Sequence, residues 1–306
     1  MTIPLMKPDH RIYLVDVFAQ SHYTGNPLAV IVSGRMPTSA TMQKIAAEMN
    51  FSETTFVAAT ADANGGYATR VFTPVREIAF TGHPILGSAW VLREYVIRQA
   101  QDRVCLNLEL GQVEVSFDND DAAALCWFIA PPITLEATIE PELIAAALAL
   151  QPQDIDRRKP IQVVSAVTTA IMVPLRDLDV LGRARLDLVR FAPLAQAGHP
   201  PLVYLYCSQT RQTDNDLSAR FFFEAGAVRE DPATGNGAAF LGAYLLEHNE
   251  TDRSGLRLRI EQGFELGRPS LIHLCARNDD TGREIRIGGR VVANVAGELL
   301  GADSSD

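Results

Sequence analysis

Most hydrophobic residues of this chain lie in short runs that turn residues separate. Residues 12–18 and 28–32 are two such runs, rich in β-branched and aromatic side chains, and Gly25, Asn26 and Pro27 stand between them. Runs of this length and composition predict β-strands. The Gly-Asn-Pro sequence predicts a turn that enters the second strand in an extended conformation. Similar runs recur towards the end of the chain, so most of the predicted elements are strands.

Two predicted helices differ from this pattern because they are apolar on nearly every face. They cover residues 85–92 and 238–246. A helix without a polar stripe is either enclosed by protein or spans a membrane. At about ten residues each, these helices are too short for the ~20 residues that a bilayer requires. We therefore predict that each helix is buried inside a wrapping of β-structure.

The loops that precede the two buried helices repeat one pattern. Both read Val-Arg-Glu, then three variable residues, then Thr-Gly, with Thr81 and Gly82 in the first loop and Thr234 and Gly235 in the second. Equivalent residues lie 153 positions apart, which is half of the 306-residue chain. We interpret the chain as two halves with the same local plan, each bringing a Gly-containing loop to the start of a helix.

This plan predicts an α+β fold of two pseudo-symmetric domains, each a barrel-like curved sheet around a central buried helix. Pro131, Pro132 and the acidic run after them are the best candidate for the domain boundary. The predicted domains are residues 1–130 and 131–306, a division that allows the last strands to return to the first domain. In the second half, residues 186–195 favour a short helix whose length Pro193 limits.

Composition and charge narrow the class of protein. With 47% hydrophobic and 21% charged residues, the chain resembles a soluble globular protein of about two domains. The net charge of −10 and the lack of a basic stripe argue against a nucleic-acid surface. The first eight residues lack the apolar core of a signal peptide. The four cysteines have no metal-ligand spacing, so we expect buried, reduced thiols in a cytoplasmic protein without a membrane segment.

The polar residues of the two loops are the candidates for chemistry: Thr81, His83, Asp231, Thr234 and Asn236. Alone, His83 could be a helix-capping group and Asp231 a turn residue. Because equivalent positions of two repeats should converge on one cleft, we predict a site between the two halves. A carboxylate, an imidazole and helix N–H groups there suit proton transfer. No phosphate-binding fingerprint or metal-ligand cluster is visible, and Glu53, which enters a predicted strand, is by itself more typical of a solvated edge charge.

Long motifs then reveal a family resemblance that runs nearly from end to end. They are VDVFAxxxxxGNPLAVI at 15–31, NFSETTFV at 50–57, RVFTPxxEIAFTGHPILGSAWVL at 70–92, EDPATGNGAAFLGAYL at 230–245, EQGxxxGRPSLI at 261–272 and GGRVVxxVxGEL at 288–299. The sequence resembles the PhzF-like family of phenazine biosynthesis, within the diaminopimelate-epimerase fold. The resemblance implies two barrel-like domains with the active site between them, and a homodimer. It also implies isomerisation without a cofactor, since the family's founding enzyme moves a proton along one face of dihydro-hydroxyanthranilate.

The resemblance also assigns residues. It implies that Glu53 in NFSETTF is the proton-shuttling glutamate, and that His83 in TGHP and Asp231 in EDPATG are the other catalytic groups. The residues expected to bind the small anionic substrate are Thr81, Gly82, Thr234, Gly235, Asn236 and Gly237. One place departs from the family pattern: DPATGSA is common, whereas this chain has Asn236 and Gly237. An Asn amide can still donate a hydrogen bond to the substrate, but with a different reach from Ser.

Three functional hypotheses follow. The leading one is a cofactor-independent isomerase in which Glu53 moves a proton between carbons of a small carboxylated substrate, similar to dihydro-hydroxyanthranilate. The second is an epimerase or racemase acting at a carbon next to a carboxylate. Relatives of the fold do this with two cysteines, but Thr81 and Thr234 occupy those positions and cannot form a thiolate-like base. The third is a ligand-binding relative that has no activity.

Overall fold

The computed structural model describes residues 10–79, 81–99, 101–118, 125–225, 227–248, 255–279 and 282–300. Residues 1–8, which bear on the signal-peptide prediction, lie outside the described residues. The elements are, in chain order, β1 (His10–Val17), β2 (Asn26–Ser33), α1 (Ser39–Met49), β3 (Thr54–Ala58), β4 (Tyr67–Phe72), β5 (Glu77–Ile78), α2 (Gly82–Val91), β6 (Arg103–Leu108), β7 (Gly111–Phe117), β8 (Cys126–Ile129), β9 (Thr134–Ile139), α3 (Pro141–Ala147), β10 (Ile161–Ser165), β11 (Thr169–Pro174), α4 (Leu178–Arg183), α5 (Leu188–Gln196), β12 (Val203–Cys207), β13 (Leu217–Glu224), β14 (Val228–Asp231), α6 (Gly235–His248), β15 (Leu256–Gln262), β16 (Ser270–Asp279), β17 (Gly282–Gly289) and β18 (Val291–Glu298).

The chain divides into two compact units. The first unit comprises Met1–Phe128 and Gly289–Asp306, and the second unit comprises Ile129–Gly288. Within the described residues, no helix is both long enough and apolar enough to cross a membrane.

The first unit is a curved sheet around α2. Its strands follow the order β18, β1, β2, β3, β4, β6, β7 and β8, and the short strand β5 pairs with β4. Helix α2 contacts β18, β1, β2 and β3 as well as β6 and β7. Because these strands come from both ends of the order, the sheet must curve around the helix. Nearly every residue of α2 is buried, as the absence of a polar stripe predicted.

The second unit repeats this topology strand for strand. Its order is β9, β10, β11, β12, β13, β15, β16 and β17, with β14 paired to β13. Each pairing has the same direction as its counterpart in the first unit, including the parallel pairs β2–β3 and β11–β12. The counterpart of α2 is α6, which contacts β9, β10, β11, β15 and β16. The α+β architecture with internal symmetry is therefore confirmed.

The short helix predicted over residues 186–195 is observed as α5, Leu188–Gln196, with Pro193 inside it. Proline removes one backbone donor from a helix interior. Here the loss is compensated by packing, because Phe191 and Leu194 on either side of Pro193 are buried in a cluster that α3, α4 and α5 form with β10, β11 and β12. Tertiary burial outweighs a local helix-breaking preference.

Candidate active site

The structure brings Glu53 and His83 together in the first unit. Glu53 directly precedes β3, and His83 is the second residue of α2. His83 Nε2 lies 3.4 Å from Glu53 Oε2. The Glu53 side chain is 15% exposed and His83 is buried, and the two atoms in contact, Glu53 Oε2 and His83 Nε2, are both buried. This pair is a carboxylate next to an imidazole at the start of a buried helix.

The imidazole of His83 is neutral at physiological pH. Its burial lowers its pKa to about 3, because a low-dielectric interior disfavours the charged ring. The 3.4 Å contact is therefore between a carboxyl group and an uncharged ring, and it is longer than a standard hydrogen bond. On its other side, His83 Nδ1 lies 3.3 Å from Asn26 Nδ2. His83 can thus give or accept a hydrogen bond at Nε2 without acting as a cation.

The second unit holds Asp231 in a closed set of hydrogen bonds. Thr234 Oγ1 donates to Asp231 Oδ2 at 2.6 Å. Gln262 Nε2 donates to the Asp231 carbonyl oxygen at 2.9 Å and to Thr234 Oγ1 at 3.1 Å, while Thr234 N donates to Gln262 Oε1 at 3.3 Å. Because Gln262 is the donor to the Thr234 hydroxyl, that hydroxyl directs its own hydrogen to Asp231. The carboxylate therefore has a fixed orientation at the end of β14.

The other predicted residues lie at the two helix starts. Thr81 adopts an extended conformation before α2, and among the described residues its side chain caps none of the helix N–H groups. Gly82 and Gly235 are the first residues of α2 and α6, and both are buried. Asn236 is half-buried. Each helix start therefore presents N–H groups, to which an anion is attracted.

Gly237 is one of the two residues that depart from the common family sequence, and packing explains why it is a glycine. A Cβ atom at this position would lie 2.3 Å from Tyr204 Cδ2 and 2.5 Å from Tyr204 Cε2, closer than any side chain tolerates. Tyr204 is fully buried on β12, and its hydroxyl lies 3.5 Å from Gln262 Oε1. The position of the Tyr204 ring therefore requires a residue without a Cβ atom at position 237. Gly237 thus has a packing role beside the predicted binding residues.

Neither Glu53 nor Asp231 has a carboxylate at the equivalent position of the other unit. Leu202 directly precedes β12, as Glu53 precedes β3, so the second unit has an apolar residue where the first has a carboxylate. Conversely, Ile78 ends β5, as Asp231 ends β14, and both pair with the strand before them in the same register. Glu53 and His83 form one set and Asp231, Thr234 and Gln262 another, each within its own unit. That both sets serve one substrate stays a prediction.

A second buried carboxylate next to Gln262 is structural. Glu261 is almost fully buried and accepts hydrogen bonds from Arg211 N, Gln212 N, Asn215 Nδ2 and Ser218 Oγ. Burial alone would raise its pKa, but these donors outweigh burial, so the pKa of Glu261 lies below its usual range. A carboxylate saturated with donors is a poor base. Glu261 therefore anchors the chain around Arg211, and we do not count it as a proton-transfer group.

Three residues of these sets were not candidates from the sequence: Asn26, Tyr204 and Gln262. Asn26 and Gln262 belong to the GNP and EQG motifs, which were visible signals without an assigned role. Their contacts could not be foreseen, because Asn26 lies 57 residues from His83 and Gln262 lies 28 residues from Thr234. Elsewhere in the described residues, no group of three or more His, Cys, Asp or Glu side chains could hold a metal ion.

Comparison with known proteins shows that this chain is similar to isomerases. The chain is 35% identical to an uncharacterised isomerase of Mesorhizobium japonicum, over 94% of this chain and 97% of that protein. It is 32% identical to trans-2,3-dihydro-3-hydroxyanthranilate isomerase of Pseudomonas aeruginosa, over 90% of this chain and 93% of that enzyme. The protein is accordingly an enzyme of the isomerase class.

The family follows from a match over most of the chain. The sequence pattern of the PhzC-PhzF family, described as phenazine biosynthesis-like protein, matches residues 15–297. The fold agrees with the crystal structure of a PhzF-family protein of Bacillus anthracis, with a TM-score of 0.87 and 24% identity, over 96% of this chain and all (100%) of that one. The chain belongs to the PhzC-PhzF family, as its motifs predicted.

Proposed function

We propose that this isomerase moves a proton between two carbons of a small carboxylated substrate, without a cofactor, and that Glu53 carries the proton. One observation supports this most directly. Glu53 Oε2 lies 3.4 Å from a buried neutral imidazole in the first unit, and the corresponding position of the second unit is Leu202. A single carboxylate that takes a proton and returns it suits a shuttle along one face of a substrate.

The surroundings of Glu53 give the proposed step its chemistry. A carboxylate removes a proton from carbon more readily where water is scarce, and Glu53 is only 15% exposed. His83 stays uncharged next to it, so it does not neutralise the base through an ion pair. As negative charge develops on the substrate, a neutral hydrogen-bond donor and the helix N–H groups at Gly82 and Gly235 would stabilise it.

We propose a cyclic amino- or hydroxy-substituted carboxylic acid as the substrate class. The relative from Pseudomonas aeruginosa is named for trans-2,3-dihydro-3-hydroxyanthranilate, which makes that compound the first to test. Helix N-termini favour the carboxylate of such a molecule. Asn236, in place of the common Ser, would contact the substrate through an amide, and we expect it to change which ring substituents are accepted.

Epimerisation at a carbon next to a carboxylate is the alternative. It needs a second base facing the first across the substrate carbon. Thr81 and Thr234 stand at the positions where relatives of the fold have cysteines, and a threonine hydroxyl is not a base near neutral pH. Leu202 adds none. Asp231 is the remaining candidate, but its Oδ2 is engaged by the Thr234 hydroxyl. The one-carboxylate isomerase is therefore the better proposal.

Proton NMR of the purified enzyme in D₂O tests the proposal. The compounds are trans-2,3-dihydro-3-hydroxyanthranilate and a panel of amino- and hydroxy-substituted cyclic and acyclic acids. We expect signals of a new isomer, or exchange of a C–H signal, with the wild type. Glu53→Gln should lower the rate by about 10²- to 10⁴-fold, the usual contribution of a positioned base.

The matched control is Glu48→Gln, which changes an exposed glutamate of α1 in the same unit. It should retain the wild-type rate. A wild-type rate in Glu53→Gln would refute the shuttle, and exchange that inverts a single stereocentre without forming an isomer would favour the epimerase.

The homodimer comes from the resemblance and the cytoplasmic location from the cysteine pattern, and both stay proposals. Sedimentation of the purified enzyme tests the first: a mass near 67 kDa, twice the chain mass of 33.4 kDa, is expected. A mass equal to one chain would contradict it.

A further inference from the structure

Asn26 contacts the proposed catalytic pair from the side opposite to Glu53. It is the first residue of β2 and is fully buried, and its Nδ2 lies 3.3 Å from His83 Nδ1. The turn before it is constrained, because Gly25 has a φ of +72° and a Cβ there would lie 2.4 Å from the Val17 carbonyl oxygen. Only glycine fits this turn without strain. The backbone therefore delivers the Asn26 amide to one nitrogen of the imidazole.

The contact decides which ring nitrogen carries the hydrogen. A neutral imidazole has one N–H donor and one acceptor nitrogen. An amide N–H that points at Nδ1 needs Nδ1 as its acceptor, which leaves the hydrogen on Nε2. Nε2 is the atom that faces Glu53 Oε2, at 3.4 Å. A hydrogen on Nε2 thus lies next to a carboxylate oxygen, which is an acceptor, although Nε2 forms no hydrogen bond among the described residues at this distance.

The reverse tautomer conflicts with the same geometry. A hydrogen on Nδ1 would point at the Asn26 Nδ2 donor, 3.3 Å away. The unprotonated Nε2 would then set its lone pair against those of the Glu53 carboxylate oxygen. Both contacts favour the Nε2–H form.

We propose that Asn26 is a positioning residue that holds His83 as the Nε2–H tautomer, so that His83 acts only as a hydrogen-bond donor. The acceptor nitrogen is occupied by Asn26, and Nε2 already carries a hydrogen, so His83 is not a base. Glu53 is then the one group of this pair that removes a proton from carbon. The catalytic part of this inference rests on the proposed isomerase function, whereas the tautomer does not.

The tautomer can be read without a substrate. The experiment is a long-range proton–nitrogen correlation spectrum of wild-type enzyme with ¹⁵N-labelled histidine, with His83 assigned as the signal set that disappears in His83→Gln. Among the six histidines of the chain, we expect His83 to show a protonated Nε2 and an unprotonated Nδ1, unchanged between about pH 8 and about pH 5. A protonated Nδ1, or a doubly protonated ring in this range, would overturn the proposal.

Asn26→Asp is the matching variant because it keeps the shape of the side chain and replaces the donor by an acceptor. It should move the hydrogen of His83 to Nδ1, and lower the isomerisation rate by about 10²- to 10³-fold, the usual cost of a misdirected donor. Asn64→Asp, an exposed asparagine of the same unit, is the control and should leave the His83 signals and the rate unchanged. An Asn26→Asp enzyme with the wild-type tautomer would also contradict the proposal.

The tautomer measurement and the activity measurement test the role of Asn26 and the proposed function separately. The Nε2–H tautomer without Glu53-dependent chemistry on any compound would defeat the proposed function alone. Glu53-dependent isomerisation with an Nδ1–H tautomer would defeat the role of Asn26 alone. If Asn26→Asp fails to fold, the wild-type spectrum still decides.

Discussion

The loops that begin α2 and α6 have the same backbone plan but different polar side chains. In the second unit, Thr234 donates to Asp231 and is itself fixed by Gln262. In the first unit, Ile78 stands in place of Asp231, and the carboxylate is that of Glu53, directly before β3. The duplicated scaffold preserves the helix start, which is set by backbone topology. The polar side chains around the two helix starts differ between the units.

The two units also contain equivalent ion pairs that differ in their burial. Arg70 on β4 pairs with Glu77 on β5, and Arg220 on β13 pairs with Glu230 on β14, in the same register. The first pair is 33% and 35% exposed, whereas the second is 2% and 10% exposed.

The difference comes from α4. Arg220 Nη1 donates to the carbonyl oxygens of Leu181, Gly182 and Ala184, at the end of that helix. Arg70 Nη2 instead donates to the Ser39 hydroxyl of α1. One ion pair thus holds a helix to the sheet, and its counterpart lies at the surface.

The largest contrast is expected from removing the two arginines. Arg220→Met should lower the free energy of unfolding by about 3–5 kcal/mol, because it leaves Glu230 and three carbonyl groups buried without their partner. Arg70→Met, the matched control, should cost about 0–1 kcal/mol, since its partner is accessible to solvent. Urea unfolding followed by circular dichroism measures both. Equal losses would mean that burial does not separate the two pairs.

A smaller contrast is expected at the two threonines. Thr234→Val removes a hydrogen bond to a nearly buried carboxylate, which should cost about 1.5–3 kcal/mol. Thr81→Val removes no helix-capping bond of the described residues, so its cost should stay below about 0.5 kcal/mol. Thermal unfolding of both variants and of Thr234→Ser, which keeps the hydroxyl, measures the difference. A stable Thr234→Val would show that Asp231 is held by other contacts.

The last contrast concerns pH and distinguishes the histidine of the first loop. Burial lowers the pKa of His83 from 6.5 to about 3, so between these values the unfolded chain binds a proton that the folded chain does not. His83 therefore destabilises the folded state progressively as the pH falls through this window, by up to about 1.4 kcal/mol per pH unit. His83→Gln should unfold with a shallower pH dependence than the wild type. Identical slopes for wild type and His83→Gln would place a charged ring in the folded state.

Patterns within short stretches of the sequence were sufficient to predict the fold. The apolar faces of α2 and α6, the Thr-Gly repeat and the strand runs all lie within short windows, where backbone periodicity and turn chemistry decide the structure. They predicted buried helices inside curved sheets and two halves of one design. The same windows predicted the short helix around Pro193, but not its packing against α3, α4 and the sheet.

The partners of the candidate residues depended on the tertiary structure. His83 meets Asn26 across 57 positions, Thr234 meets Gln262 across 28, and Arg220 meets the end of α4 across 36 to 39. No periodicity links such residues, since their contact follows from how separate strands curve around a helix. Residue type and motif therefore pointed to Glu53, His83 and Asp231. Burial and hydrogen-bond direction, which set the charge of His83 and the orientation of Asp231, arise only when the strands are brought together.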